Sequence, residues 1–462
     1  MAALCRRSGH YGGMSEQPIV LWLRRDLRLS DLPPLLAAQG RQVLACFVLD
    51  PALEASSGDR RLSFLYDSLR DLHEQLDGSL LIVRGAPETM IPKIARSIDA
   101  EAVHVSADFA PYGMRRDEKV RNALGGIPLR AEGSPYAVAP GRVLKDDGEP
   151  YRVFTPYFRR WRDHGWRAPA DTGVGSATWI SPAEVPGVRG IKIPKAKAEL
   201  DFPAGERAAY ERFAEFMADD IADYNTHRDR PDLASTSRMS AYLKFGNIHP
   251  RAMLADLDTH DGEGRGAYIR ELAFRDFYAD VLHQRPDSSW WNLNKKFDAM
   301  EHDSGSDADA DFAAWREGKT GFPIVDAGMR QLLGSGFMHN RVRMIVGSFL
   351  VKDLHLPWQR GAAWFLDQLV DGDMASNQHG WQWVAGCGTD AAPYFRVFNP
   401  TTQGNKFDPA GDYVRRWVPE LRGISGAAVH EPGALRPDDY PEPIVDHKLQ
   451  RQVALDRYKN LP

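Results

Sequence analysis

Cysteine is scarce in this 462-residue chain. Cys5, Cys46 and Cys387 are widely separated thiols, too few and too scattered for a disulfide framework or a zinc pattern, and no metal site is expected. Long apolar runs are missing as well: none approaches the roughly 18 residues of a membrane span. The leader MAALCRRSGHYGG has too little apolar core for a secretory signal. Together these absences point to a soluble protein of the reducing cytoplasm, with no membrane partner. A surplus of positive charge is absent too. Lys and Arg number 58 against 63 Asp and Glu, a net of −5, which argues against wrapping nucleic acid with the whole surface and leaves room for a local basic patch. No repeat or low-complexity tract appears. No Gly-rich phosphate loop follows the first apolar run, so a conventional dinucleotide fingerprint is not expected.

The length suits two structural domains. Residues 1–16 read as a disordered extension. From 17 to 145 short β-branched or apolar runs (IVLWL, VLACFVL, LLIV, AVHVS) alternate with amphipathic stretches in which Leu62, Leu65, Leu69 and Leu72 share a face. That alternation predicts an α/β unit with a doubly wound parallel sheet, Rossmann-like in pattern. Residues 146–205 read as an interdomain connector. Within it, 165–204 is rich in Pro, Gly and Ala and is expected neither to hold a helix nor to bury a core. Residues 206–462 have helical period and predict an all-α domain.

Two of the predicted helices carry a polar stripe. In YIRELAFRDFYADVL, Glu271, Phe274, Arg275 and Tyr278 fall at i, i+3, i+4 and i+7, presenting a carboxylate, aromatic planes and a guanidinium on one face. Such a face can stack on a flat heterocycle and bond its edge; it can equally be an exposed Glu–Arg pair beside an aromatic pair. In FMHNRVRMIVGSFLVKDL, Asn340, Arg343, Met344 and Gly347 align in the same way. Upstream, Ser235, Thr236, Ser237 and Ser240 can cap a helix or hold an anion.

The stretch DGDMASNQHGWQW sets Asp371, Gly372 and Asp373 ahead of Asn377, Trp381 and Trp383. Buried acids need donors, and a flavin ring with its ribityl hydroxyls supplies them. With LWLRRDLRLSD, TSRMSAYLKFGNIHPR, ELAFRDFY, KTGFPIVDAGMRQL, GFMHNRVRM and GTDAAPYFRVFNPTTQGNKFDPAGDYVRRWVPEL in order, the chain resembles the DNA photolyase/cryptochrome family from residue 18 to about 458. The resemblance implies FAD in the helical domain. Its phosphates would meet Tyr224, Thr236, Ser237, Met239 and Ser240, with Arg238, Tyr268, Arg275 and Phe365 also around the cofactor. Asp371, Gly372 and Asp373 would meet the flavin edge and ribityl chain. Arg343 would pair with Asp371, and Asn377 would face the reactive flavin nitrogen. Trp381, Trp358 and Trp315 would form a chain of indoles from flavin to surface.

The implied activity is light-driven splitting of cyclobutane pyrimidine dimers in UV-damaged DNA, by a carbon–carbon lyase acting as a monomer. Glu271, Asn340 and Met344 would contact the dimer, and Trp383 would stack on it. Arg228, Phe274, Arg275, Tyr278, Arg341, Arg396 and Gln403 would hold the DNA. Asn340 with Met344, Asn377 and Trp383 resemble the class I dimer-repair pattern. The runner-up is a blue-light receptor of cryptochrome type; a flavin electron carrier would leave the Glu271 and Asn340 stripes without a purpose. Phe274 and Phe337 stand where the family usually has Trp, and Leu32 where Asn is common. Ala110 replaces a Glu that holds the pterin in folate-binding relatives, which argues against a methenyltetrahydrofolate antenna and leaves a deazaflavin, another flavin or no antenna.

Overall fold

The computed structural model describes residues 17–390 and 396–462; the extension expected over 1–16, with Cys5, lies outside them. The apolar runs become β1 (Ile19–Leu23), β2 (Gln42–Leu49), β3 (Leu80–Arg84) and β4 (Ala102–Val105), joined by β5 (Leu129–Ala131). All are parallel, in the order β3-β2-β1-β4-β5. β1 is buried at every residue, which explains why IVLWL is continuously apolar instead of alternating. Around and between the strands run α1 (Pro33–Leu36), α2 (Pro51–Ala55), α3 (Asp59–Gln75), α4 (Pro87–Ser97) and α5 (Pro111–Leu124). The chain winds from β1 to one edge and returns to β4 on the other side. The carboxyl ends of β1 and β4 therefore flank a topological switch point, where α/β sheets bind ligands.

The Pro- and Gly-rich stretch over 165–204 departs from its expectation of burying nothing. It straps across the sheet: β6 (Thr178–Trp179) pairs with β2, and Ile191 N–H donates to Ile82 O at 2.8 Å. Val185 and Val188 are 5% and 7% exposed. A segment with no core of its own can bury scattered apolar side chains once an existing sheet satisfies its backbone donors.

α6 (Phe154–His164) departs from the connector expected over 146–205, burying Phe154, Tyr157 and Trp161. From 206 the chain is helical, as expected: α7 (Glu206–Asp219), α8 (Tyr224–His227), α9 (Ser240–Phe245), α10 (Pro250–Leu257), α11 (Glu263–Gln284), α12 (Ser306–Glu317), α13 (Pro323–Ser335), α14 (Asn340–Lys352), α15 (Trp358–Gln368), α16 (Met374–Ala385), α17 (Pro400–Phe407), α18 (Asp412–Trp417) and α19 (His447–Lys459). One face of the sheet packs on α4 and α5 through Val20, Leu44, Ile91, Ile94 and Val120. The other face shares a single core with the first helices, in which Leu21, Phe47 and Phe64 join Phe213, Tyr242 and Phe277. A separate core around Trp315, Phe349 and Trp381 holds α12 to α16. Among the described residues no helix is long and apolar enough to cross a membrane.

Candidate functional site

The helices that carry the two polar stripes, α11 and α14, both pack on α16. Glu271 lies on the α8 side, its Oε1 at 2.7 Å from Arg228 Nη1. This contact is an ion pair without hydrogen-bond alignment, since the same oxygen is buried and has no hydrogen-bond partner. Burial raises the Glu271 carboxyl above its ordinary range, with Arg228 opposing. Phe274, one turn on, lies flat against Phe154 of α6, with ring centroids 3.4 Å apart and 9° between planes. Tyr278 stacks on His379 of α16 at 5.6 Å.

Arg275 leaves the group. Its guanidinium donates to Pro135 O at 2.8 Å and Leu243 O at 3.0 Å and sits 4.6 Å over the Tyr136 ring. Carbonyls that end other elements need donors, and this arginine serves the junction between the halves, not the stripe.

On α14, His339 caps the helix by accepting Arg341 N–H through Nδ1 at 3.2 Å, the structural role that competes with any ligand role for a buried His. Asn340 is exposed at the first turn, while Arg343 and Met344 are half-buried. Arg343 donates to Asp371 Oδ2 at 2.8 Å and to Met338 O at 2.8 Å. Asp371 Oδ1 is buried and unpartnered. Gly347 admits the neighbouring helix: a Cβ there would stand 3.5 Å from Trp381 and Val384.

Asp373 turns the other way. It caps α16 by accepting Ser376 N–H at 3.1 Å and receives Arg25 Nη2 at 2.7 Å. Asn377, one turn into α16, donates its amide to Ala362 O at 3.0 Å and Gln378 Oε1 at 2.7 Å, which leaves its carbonyl oxygen for another partner. Trp383 is half-buried.

The hydroxyl cluster is not a helix cap, because the residue before α9 is Met239 and no side chain caps that helix. Ser237 Oγ instead receives Tyr268 OH at 2.8 Å and Met239 N–H at 3.3 Å. Ser235 Oγ is buried without a partner. Arg238 adopts a left-handed φ of 56° and lays its guanidinium 5.2 Å over Phe337. Tyr224 and Tyr268 meet edge to face at 5.2 Å. Thr236 is half-buried and Ser240 exposed.

The tryptophans require one correction. Trp381 contacts Trp315 at 6.1 Å and Phe365 at 4.9 Å, and α15 admits it at Gly361, where a Cβ would collide with the indole at 2.2 Å. Trp315, however, is 0% exposed and donates its indole N–H to Val346 O at 3.0 Å. Its place in the second core keeps it from being the surface end of a chain. Trp358, 3% exposed, is tied to Asn292 Oδ1 at 2.9 Å. Of the expected DNA contacts, Arg341 is held by Asp229 at 2.9 Å and lies 4.3 Å over Phe407. Gln403 is half-buried on α17, and Arg396 is exposed with its carbonyl accepting Lys352 Nζ.

A cavity of about 890 Å³ opens at the switch point and is lined from both halves by Trp22, Arg25, Asp108, Ala110, Lys244 and Asp373 among others. Arg25 and Lys244 were missed as site residues. The signal lay in the charged RRD that follows β1 at a switch-point end. Asp229 was missed as well, and only folding brings it to Arg341.

The buried, unpartnered Asp371 Oδ1 and Ser235 Oγ can accept and call for donors. FAD carries these on its flavin ring, ribityl chain, ribose and adenine, so the donor set and the cofactor fit.

Comparison with known proteins agrees. Residues 19–173 match the DNA photolyase family and residues 268–460 the FAD binding domain of DNA photolyase. A deoxyribodipyrimidine photo-lyase of Streptomyces griseus is 41% identical over 451 residues, covering 92% of this chain and 96% of that protein. Among solved structures, a bacterial class III photolyase from Agrobacterium tumefaciens superposes with a TM-score of 0.88 at 34% identity, covering 98% of this chain and 99% of that one. An archaeal photolyase from Sulfolobus tokodaii, solved with two FAD molecules, gives 0.85 at 28% identity, covering 96% and 100%. A cryptochrome shares the fold too, and the class III neighbour means that likeness in fold does not single out class I.

Proposed function

The chain belongs to the DNA photolyase family, and from that premise we propose that it splits cyclobutane pyrimidine dimers in UV-damaged DNA under light, as a monomer in the cytoplasm. The observation that carries this reading is the placing of Glu271 on α11 and of the Arg343–Asp371 pair beside α14, two helices that both pack on α16, with Asp371 Oδ1 left buried and unpartnered. FAD, when bound, supplies a light-absorbing centre that can lend an electron to the dimer and recover it.

The protein's residues bind, orient and exclude water. Tyr224, Ser235, Thr236, Ser237, Arg238, Met239, Ser240 and Tyr268 would hold the phosphate end of FAD. Asp371, braced by Arg343, would accept from the flavin, with Gly372, Phe365 and Asn377 also holding it. Asp373 fixes the start of α16 and so the position of Asn377. The damaged bases leave the stack to enter, at reduced cost because a lesion pairs weakly. Glu271, whose carboxyl is raised by burial and opposed by Arg228, would hydrogen-bond the dimer. Asn340, Met344 and Trp383 complete the lesion's surroundings, and Arg228, Arg341, Arg396 and Gln403 approach the strand.

The junction cavity is the proposed place for a second chromophore. Ala110 offers no carboxylate to a pterin, and the two FAD molecules of the Sulfolobus photolyase favour a flavin-type occupant. Mass analysis of released cofactors distinguishes a flavin, a deazaflavin and none.

The deciding assay is dimer loss from irradiated thymine oligomers with reduced protein. Loss in blue light and none in darkness is expected, and Glu271→Ala should weaken dimer-specific binding about 10- to 100-fold, the cost of an unmade buried hydrogen bond. No loss by protein with intact reduced flavin would turn the reading toward a receptor or carrier.

A further inference from the structure

Most arginines around the lesion region are already engaged. Arg228 faces Glu271, Arg341 faces Asp229 and Arg230 pairs with Asp232, while Arg275 is spent on carbonyls. An acid beside each of the first three weakens the field offered to a phosphate. The stretch 152–167 differs. It holds five arginines and a single aspartate, in a chain whose net charge is −5.

The geometry of α6 explains why those charges face outward. Phe154, Tyr157 and Trp161, spaced i, i+3 and i+7, are 0–1% exposed and form its inner face. Tyr157 packs on Phe277 of α11 at 5.0 Å, and Trp161 donates its indole N–H to Asp276 at 3.0 Å. Thr155, Arg159 and Arg162 fall on the opposite face, and Arg152 precedes the first turn. All four are exposed. Among the described residues Arg152, Arg159 and Arg162 have no ion pair. Three acids border the patch. Asp163 is on α6 itself, Asp146 holds Arg160 at 3.4 Å, and Asp390 donates its backbone N–H to Arg152 O at 3.3 Å.

The patch borders the lesion region. Phe154 lies flat on Phe274, one turn from Glu271. Arg270, next to Glu271 in sequence, places its guanidinium 5.2 Å over Phe154 and 5.0 Å over Phe158. α8 and α6 thus stand on different sides of the α11 stripe, the first holding Glu271 and the second Phe274. An 11-residue helix spans roughly 16 Å, over which duplex DNA carries about nine phosphate charges at one per 1.7 Å.

We propose that the exposed arginine face of α6, formed by Arg152, Arg159 and Arg162, is a second phosphate track that holds the double helix beside the lesion. The proposal rests on the DNA-repair reading above and adds to it which exposed arginines, outside the Glu271 and Asn340 stripes, hold the flanking phosphates. The track carries no sequence information, as expected for phosphate contacts.

The test uses the full-length, FAD-loaded protein and the triple variant Arg152→Gln/Arg159→Gln/Arg162→Gln. Binding is measured from 50 to 200 mM salt to a damaged duplex, the undamaged duplex and a dimer-containing trinucleotide. The variant should bind both duplexes at least about tenfold more weakly at 0.1 M salt, with a log–log salt slope shallower by about 2 to 3. Trinucleotide binding should be unchanged, and the corresponding triple Lys variant should restore the slope. Unchanged duplex slopes overturn the proposal. So does an equal loss on the trinucleotide, which would mean a damaged lesion site. Wild-type protein that shows no preference for the lesion would defeat the repair reading, while the undamaged duplex would still decide the role of α6.

Discussion

Asp371 and Asp373 stand two residues apart, yet each serves a different region. Asp371 turns into the helical half, where Arg343 takes one oxygen at 2.8 Å and the other is left buried without a partner. Asp373 turns to the junction with the sheet, where Arg25 holds it at 2.7 Å. Burial alone would raise the Asp373 carboxyl, but Arg25, Lys244 and Arg275 hold it well below the usual carboxylate range. The surroundings follow suit. In the helical half burial pushes Glu271 up, and Asp371 Oδ1 and Ser235 Oγ are buried without a partner. In the junction cavity Asp108 is paired with Arg116 at 3.1 Å, and the Lys244 ammonium has no ion pair or hydrogen bond among the described residues. The contrast teaches that the first region complements a ligand edge bearing donors and the second an acceptor or anion.

The largest effect should come from breaking that division at its source. Asp371→Ala leaves Arg343 unpaired and removes the acceptor, so FAD affinity should fall by about 100-fold or more, in the range of a broken buried ion pair. Arg25→Ala should leave flavin content, read by absorbance after dialysis, close to wild type. Equal loss in both variants would erase the distinction between the regions.

A smaller effect is expected from Lys244. Burial lowers its ammonium to about 7, helped by repulsion from Arg25 and opposed by Asp373. The unfolded chain holds this proton up to the ordinary value of 10.5. The native state therefore binds fewer protons between these limits, and the group's penalty on folding is absent above 10.5, grows as pH falls and is complete below about 7. Lys244→Met should raise the melting temperature of protein with an empty junction cavity by about 2–5 °C at pH 6.5, and the gain should shrink toward pH 10. A gain independent of pH would mean a simple repacking effect.

The smallest concerns Phe274. Its ring already has one face occupied by Phe154, so Phe274→Trp should tighten binding of dimer-containing DNA by less than about tenfold, the scale of added aromatic area. An unchanged dissociation constant would show that this position does not contact the lesion.

Much of the fold was legible. The uniformly apolar IVLWL could only be a strand buried on both faces, and the 3.6-residue spacing of Glu271, Phe274 and Tyr278 placed them on one helix. The pairing of Arg343 with Asp371 followed from the resemblance of motifs. The strap over 165–204 was not legible, because Val185 and Val188 are isolated apolar residues whose burial depends on a sheet made elsewhere. Trp315 misled for the converse reason. A motif places an indole in the chain, but depth belongs to the neighbours, and here Phe312, Phe365 and Trp381 surround it.

By itself the sequence determined which residues share a strand or a helix face, since backbone geometry imposes those periods locally, and it carried the family's motifs in order. Only the tertiary structure decided which way Asp371, Asp373 and Arg275 turn and which arginines keep a free charge. Those outcomes depend on partners far along the chain, such as Arg25 for Asp373, Asp229 for Arg341 and the Pro135 and Leu243 carbonyls for Arg275. No local period encodes such pairings, and in a buried setting the location of the partner sets the energy of the charge.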